Sequence, residues 1–143
     1  MSDADRNRVL FVCIGNTCRS QLAAAILNHQ LADRWVAVSG GIRTPRERDP
    51  RTKLVLEEMG INAEIPAAKH IEHYRGKAFD LIITLDDQVR EPIAQSFPAT
   101  RTVHQHIDDP FRDADAEQSD LSRHQQARDE IIEKLTPILE CQK

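Results

Sequence analysis

A cysteine and an arginine separated by five residues stand near the start of the chain. Cys13 follows the apolar run 9–12, and Arg19 precedes the helix-prone run 22–27. A loop between a strand and a helix gathers backbone N–H groups, and the helix N-terminus adds about half a positive charge. These dipoles stabilise a thiolate and a tetrahedral anion alike, and an arginine can hold two oxygens of that anion. The pattern predicts that Cys13 is a nucleophile that attacks a phosphate-like group.

The loop itself is expected to bind the anion. A cysteine is often only a small buried hydrophobe, and Gly15-Asn16 is an ordinary turn signal, but the strand and helix on either side favour the catalytic interpretation. Asn16 suits a left-handed backbone. Ser20 can be an N-cap or first-turn residue of the helix, and it can also donate a hydrogen bond to the Cys13 thiolate. The expected substrate-binding residues are Ile14, Gly15, Asn16, Thr17, Cys18 and Ser20.

The elements that must position this loop alternate along the chain. The pattern predicts strands at 9–12, 35–39, 79–85 and 100–103, and helices at 20–31, 51–59, 87–95 and 121–139. This alternation predicts an α/β fold, a three-layer, doubly wound, four-stranded parallel sheet with helices on both faces. Pro92 weakens the third helix, and Pro137 is expected to kink or end the last one. Ligands bind such sheets at the carboxyl ends of the strands, where the Cys13 loop lies.

Composition limits the classes of protein. With 143 residues, 40% hydrophobic and 29% charged, the chain is expected to form one soluble domain at 8–143 after a flexible leader at 1–7. A net charge of −4 without a basic stripe argues against nucleic-acid binding. No stretch is typical of a membrane span or a signal peptide, so we expect a cytoplasmic protein that does not bind membranes.

Three cysteines make an odd set without a disulfide framework or zinc-ligand spacing. Cys18 lies five residues after Cys13, so the two sulfurs could form a reversible disulfide, although an inert packed thiol explains Cys18 nearly as well. Cys141 is either an incidental exposed thiol or a distant resolving cysteine. The expected chemistry requires neither a metal nor a cofactor.

The motif Cys-x-Gly-Asn-x-Cys-Arg-Ser at 13–20 resembles the signature of the low-molecular-weight protein tyrosine phosphatase superfamily, which also contains thioredoxin-coupled arsenate reductases. A second landmark, the segment Asp-Asp-Pro-Phe at 108–111, stands where that family keeps its general acid. The resemblance extends from residue 9 to about residue 139.

The resemblance implies roles for individual residues. Asp109 corresponds to the general acid, although by itself the segment is only a solvated acidic turn. Phe111 is expected to flank the substrate entrance, with core packing as the alternative. The resemblance also implies that Asn16 pins the loop by a hydrogen bond to Ser39, with a plain turn residue as the alternative.

The residues that distinguish the two branches of the superfamily point in both directions. Gln21 stands where arsenate reductases carry Gln and phosphatases carry Pro, and the segments 108–110 and 128–131 also resemble the reductases. No cysteine lies between Cys18 and Cys141, so the internal electron relay of the reductases is missing, and Ala24 replaces their acidic cation ligand.

The sequence therefore predicts hydrolysis of phosphomonoesters, above all phosphotyrosine, through a cysteinyl-phosphate intermediate, with a phosphorylated protein or a small oxyanion as partner. Arsenate reduction with an external thiol partner is the close alternative. A non-catalytic oxyanion-binding module is a third hypothesis, disfavoured because the chain retains both a nucleophile and an acid.

Overall fold

The computed structural model describes residues 6–44, 49–110 and 121–141, and within them strands and helices alternate. The strands are β1 (Asn7–Val12), β2 (Trp35–Gly40), β3 (Leu81–Thr84) and β4 (Thr102–His104). The helices are α1 (Arg19–Gln30), α2 (Pro50–Glu57), α3 (Arg90–Ser96) and α4 (Ser122–Glu140), with short 3₁₀ helices at Ile71–Tyr74 and Asp87–Val89. The strands form one parallel sheet in the order β2-β1-β3-β4, which confirms the predicted fold.

The central strand shows why the sheet is covered on both faces. Residues Val9–Val12 of β1 are completely buried, as the uninterrupted apolar run predicts for a parallel strand. Val9 and Phe11 pack in one cluster with side chains of α1, α2 and α4. Leu10 and Val12 pack in a second cluster with α3 and the 3₁₀ helices. The sheet is therefore the middle of three layers.

Helices α3 and α4 each contain a proline whose effect can be compared with expectation. The predicted helix 87–95 is a 3₁₀ turn followed by α3, and Pro92 lies in the first turn of α3, where its missing N–H costs no helical hydrogen bond. Of the two effects expected of Pro137, a kink or an end, it does not end the last helix, because α4 continues three residues beyond it, to Glu140. Leu135 and Leu139 on either side of Pro137 are fully buried, and their packing favours continuation of the helix.

One residue of α2 also differs from its expected orientation. The helical spacing of 51–59 predicts that Leu54, Val55 and Met59 face inward. Leu54 is instead the one large hydrophobic residue in the described ranges that is exposed, whereas Val55 and Leu56 are buried. The inward face of α2 is therefore offset from the one that the sequence pattern predicts.

The carboxyl ends of the strands bring three loops together. The Cys13 amide donates to the Gly40 carbonyl, and the Leu85 amide to the Val12 carbonyl. The Ile107 amide in turn donates to the Leu85 carbonyl. The segments that follow β1, β3 and β4 are thus hydrogen-bonded side by side at one edge of the sheet.

None of the helices in the described ranges is long and apolar enough to span a bilayer.

Candidate active site

The loop between β1 and α1 presents a row of unpaired amides. The backbone N–H groups of residues 14–18 donate to no acceptor in the described part of the chain. Asn16 and Cys18 in this loop are at most 2% exposed, and Ile14, Gly15 and Thr17 are partly buried. Buried amides without partners are rare in proteins, and a row of them makes a concave anion-binding site. This row has the arrangement that the predicted oxyanion cradle requires.

The carbonyls of the same loop are hydrogen-bonded by the surrounding scaffold. The Ile14 carbonyl accepts from the Ile42 and Arg43 amides, and the Asn16 carbonyl accepts from Gln21 Nε2. The Thr17 carbonyl accepts from Thr52 Oγ1, and the Cys18 carbonyl accepts from the Leu22 amide. In a trans peptide the C=O and the following N–H point in opposite directions. Fixing the carbonyls therefore also fixes the directions of the amides.

Two backbone features give the loop its shape. Asn16 has a φ of 56°, which confirms the expected left-handed conformation. Gly41, just after β2, lies so close to the loop that a Cβ atom there would stand 2.7 Å from the Ile14 carbonyl oxygen and 3.0 Å from the Asn16 nitrogen. Only glycine allows this approach without a backbone shift.

A chain of three hydrogen bonds ends at the Cys13 sulfur. The Lys69 amide donates to Asn16 Oδ1 (2.8 Å), which leaves Asn16 Nδ2 to donate to Ser20 Oγ (2.7 Å). Ser20 Oγ lies 2.9 Å from Cys13 Sγ. Because Oγ accepts from Asn16, its single hydrogen is available for the sulfur, and a hydroxyl that donates there stabilises the thiolate.

The expected hydrogen bond between Asn16 and Ser39 is not formed. Both residues are described, and the Asn16 side chain is used by Ser20 and the Lys69 amide instead. Ser20 stands one helical turn after Asn16 and is the nearer hydroxyl. Ser39 lies within β2, and its carbonyl accepts from the Tyr74 hydroxyl at 2.8 Å. Ser39 thus supports the strand beside the loop.

The Arg19 guanidinium is held at one edge. Nη1 donates to Asp86 Oδ2 (2.8 Å) and to the Ile107 carbonyl (2.9 Å), and the arginine is only 4% exposed. Nε and Nη2 make no hydrogen bond within the described ranges, although Nη2 lies 3.8 Å from Asp109 Oδ2. This second edge is the one that could hold two oxygens of an anion.

Asp86 is a site residue that sequence reasoning missed. Burial raises the pKa of its carboxyl, but hydrogen bonds from the Gln88 amide and Arg19 outweigh this, so the net pKa lies below the ordinary value. Asp86 is therefore ionised at neutral pH beside the arginine. Its position directly after a buried strand that neighbours β1 was the signal in the sequence, because the carboxyl ends of adjacent parallel strands meet.

The acidic segment after β4 places its two aspartates differently. Asp109 approaches Arg19, and its side chain is 32% exposed. Asp108 turns toward solvent, where its carboxylate contacts His106 Nε2 at 3.2 Å. The structure thus brings Cys13, Arg19 and Asp109 to one site. Phe111 lies outside the described residues.

The three cysteines are free thiols in different surroundings. Burial, together with the nearby Cys13 and Asp49, raises the pKa of Cys18 well above its usual value, so this thiol stays protonated. Cys141 is exposed at the end of α4, where Trp35 donates to the Leu139 carbonyl. Trp35 begins β2, so Cys141 lies about 20 Å, the length of a six-residue strand, from the Cys13 end of the sheet.

No group of three His, Cys, Asp or Glu side chains in the ranges that the structure covers could hold a metal ion.

Comparisons with known proteins agree with this geometry. Residues 8–142 match the family model described as low molecular weight phosphotyrosine protein phosphatase. An arsenate reductase of Bacillus subtilis is 29% identical, over 94% of this chain and 96% of that protein. The YwlE arginine phosphatase of Geobacillus stearothermophilus is 28% identical with a TM-score of 0.71, covering 96% of this chain and 98% of that one. Wzb of Vibrio vulnificus, in complex with benzylphosphonate, shares the fold with a TM-score of 0.77 at 22% identity, covering 94% of this chain and 98% of that one.

Proposed function

Because the chain belongs to the low molecular weight phosphotyrosine protein phosphatase family, we propose that it hydrolyses phosphomonoesters, with phosphotyrosine as the leading substrate class. The observation that carries this proposal is the unpaired amide row of residues 14–18 beside the hydrogen-bonded Cys13 sulfur. A thiol at the base of an oxyanion cradle is positioned to attack the phosphorus of a bound phosphoryl group.

In the first step the Cys13 thiolate attacks phosphorus. The S–P bond forms while the ester P–O bond breaks, and Asp109 gives its proton to the leaving oxygen. The loop amides and the open edge of Arg19 hold the three equatorial oxygens, where charge accumulates in the transition state. The products are the free alcohol or phenol and a cysteinyl-phosphate.

In the second step water hydrolyses this intermediate. Asp109 now accepts a proton from the water as its oxygen attacks phosphorus, and the S–P bond breaks. The Ser20 hydroxyl stabilises the departing Cys13 thiolate through the same hydrogen bond that it forms in the resting site. The site returns to its starting state with inorganic phosphate released, and the two steps consume only water.

Arsenate reduction is the second candidate. It is favoured by the relatives named arsenate reductases and by Gln21, the residue type of that branch. Reduction needs a second thiol that attacks rapidly in every turnover, however, and neither of the chain's other two suits this, since burial keeps Cys18 protonated and slow to react and Cys141 lies at the opposite end of the sheet. This reaction would therefore depend on an external thiol partner. Water is always available, which favours hydrolysis.

One set of assays separates the candidates. Purified protein is tested with p-nitrophenyl phosphate, a phosphotyrosine peptide and phosphoarginine, and separately with arsenate plus thioredoxin, glutaredoxin–glutathione or mycothiol. We expect phosphate release from the aryl phosphates, abolished in Cys13→Ser and retained in the matched control Cys141→Ser. Arsenite production without phosphatase turnover would refute the proposal, and turnover of phosphoarginine alone would reassign the substrate. Anion binding without any turnover would indicate a binding module. The cytoplasmic location remains a prediction.

A further inference from the structure

A second cavity lies behind the phosphate-binding loop, away from the reacting groups. It has a volume of about 620 Å³ and is formed by α1, β2 and the segment 61–69. Cys13, Arg19 and Asp109 do not line it, whereas Asn16 and Gln21 at one end belong to the loop region. Cavities of this size are typical of sites for small organic ligands.

The charges around this cavity select the sign of a ligand. Three of its lining residues are cations, Arg8, Lys69 and Lys77, and in the described part of the chain their charged groups have no carboxylate within ion-pair distance. The Arg8 guanidinium lies over the Phe79 ring at 5.6 Å, and only the Arg8 backbone amide contacts a carboxylate, that of Asp80. Among the residues that the structure describes, Glu64 is the only acidic one that lines it. In a chain of net charge −4, such a local excess of unpaired cations favours an anion.

The remaining lining suits an apolar body. Ala24 and Ala25 on α1 face Ile61 and Ile65 of the opposite segment, and the small alanines leave the space open. The Tyr74 side chain also lines the cavity, with the Lys77 ammonium 5.7 Å from its ring centre. Apolar walls with a few convergent polar groups are the usual composition of ligand sites.

We propose that this cavity binds a small organic anion, an aromatic or aliphatic body with one acidic group, and thereby changes the reactivity of Cys13. The connection is direct. The Lys69 amide bonds Asn16 Oδ1, and Gln21 Nε2 bridges the carbonyls of Asn16 and Pro66 at 2.6 and 3.0 Å. A ligand that moves the segment 61–69 therefore moves Asn16, which orients the Ser20 hydroxyl at the sulfur. This inference does not depend on which reaction the site performs.

Fluorescence titration with 8-anilinonaphthalene-1-sulfonate tests the binding site. N-phenyl-1-naphthylamine, the matched ligand without the sulfonate, is expected to bind at least about fivefold more weakly, consistent with the loss of one ion pair. Lys69→Gln and Lys77→Gln should each weaken the sulfonate about two- to fivefold, and the matched control Lys53→Gln on α2 should not change its affinity. Ala25→Phe, which fills the cavity, should weaken it more than about tenfold.

Several results would overturn the binding site. These are no saturable binding, equal affinity for the neutral analogue, insensitivity to all three substitutions, or full competitive displacement by inorganic phosphate, which would place the dye in the amide cradle. The link to Cys13 is tested separately by its rate of alkylation with neutral iodoacetamide. Saturating dye should change this rate at least about twofold in wild type and not in Ala25→Phe, and an unchanged wild-type rate would refute the coupling.

Discussion

Asp86→Asn tests whether a residue that need not touch the substrate positions Arg19, the arginine proposed to hold the phosphoryl group. Asp86 Oδ2 accepts from Arg19 Nη1 at 2.8 Å, and their side chains are 11% and 4% exposed. Asparagine has the same shape and can keep an oxygen on Nη1, but it removes the charge. Without that charge, Arg19 is left to the weaker attraction of Asp109, 3.8 Å from Nη2. The guanidinium should then turn toward Asp109, so that Nε and Nη2 no longer face the anion site.

The size of the effect follows from the weakening of this one hydrogen bond. A hydrogen bond to a charged group contributes about 1.5–3 kcal/mol and a neutral one about 1 kcal/mol, so the substitution removes roughly 1–2 kcal/mol of orientation energy, with the partial exposure of Asp86 favouring the lower value. If this loss falls on the transition state, kcat/KM drops about five- to thirtyfold. The folded-state pKa of Asp86 is lowered, so it is ionised throughout the neutral range, and the loss should not vary between about pH 5.5 and 8.

The assay is steady-state hydrolysis of p-nitrophenyl phosphate, with thermal unfolding to verify that each variant is folded. The matched control is Asp87→Asn, one residue away, whose carboxylate contacts His104 at 2.7 Å. A second readout, independent of catalysis, is the ratio of Cys13 alkylation rates with anionic iodoacetate and neutral iodoacetamide, which should fall as Arg19 turns away. Wild-type kcat/KM and an unchanged ratio in a folded Asp86→Asn protein would refute the positioning role.

Three further predictions concern the acid, the thiols and stability. Asp109→Ala should slow the first step about 10²–10⁴-fold for poor leaving groups and much less for good ones, measured by single-turnover kinetics, and equal losses would contradict its acid role. Peroxide should produce a disulfide between Cys13 and Cys18, and mass spectrometry that finds only sulfinic acid on Cys13 would contradict the pairing. Burial raises the pKa of Asp49, but hydrogen bonds from His124 and Arg51 outweigh this, so its net pKa lies below the ordinary value. Asp49 should therefore stabilise the fold above about pH 4 and lose that effect as pH falls through its folded-state pKa. Asp49→Asn, which keeps a helix cap, should therefore lose about 1–2 kcal/mol in urea unfolding at pH 6, with the gap closing below about pH 4, and a constant gap would contradict this account.

Local patterns were enough to predict the sheet and the loop. The fully apolar run at Val9–Val12 requires burial on both faces, and this requirement alone places β1 inside a parallel sheet. The position of the Cys13 loop at the carboxyl end of β1 then follows from the fold. The effects of Pro92 and Pro137 on their helices were harder to predict, because the position of a proline within a turn, together with the packing of residues such as Leu139, decides whether a helix continues.

Hydrogen bonds between distant residues were the part that the sequence could not predict. Arg19 and Asp86 are 67 positions apart, and nothing in local spacing pairs them. The partner of Asn16 was assigned to Ser39 by resemblance, whereas geometry selects Ser20 and the Lys69 amide. In each case the choice depends on which of several polar groups lies within about 3 Å, a difference that secondary-structure patterns do not determine.

The hydrogen bonds of the loop also change the interpretation of Gln21 as a residue typical of the arsenate reductases. In the sequence this residue favours the arsenate reductase branch, but in the structure its Nε2 donates to the Asn16 carbonyl at 2.6 Å. Holding that carbonyl on one side of the peptide directs the Thr17 amide to the other side, and so Gln21 helps to form the anion cradle. Attack by Cys13 on phosphorus or on arsenic needs the same cradle. Gln21 is therefore explained by the step that both reactions share, and the choice between them depends on what resolves the covalent intermediate, water or a second thiol.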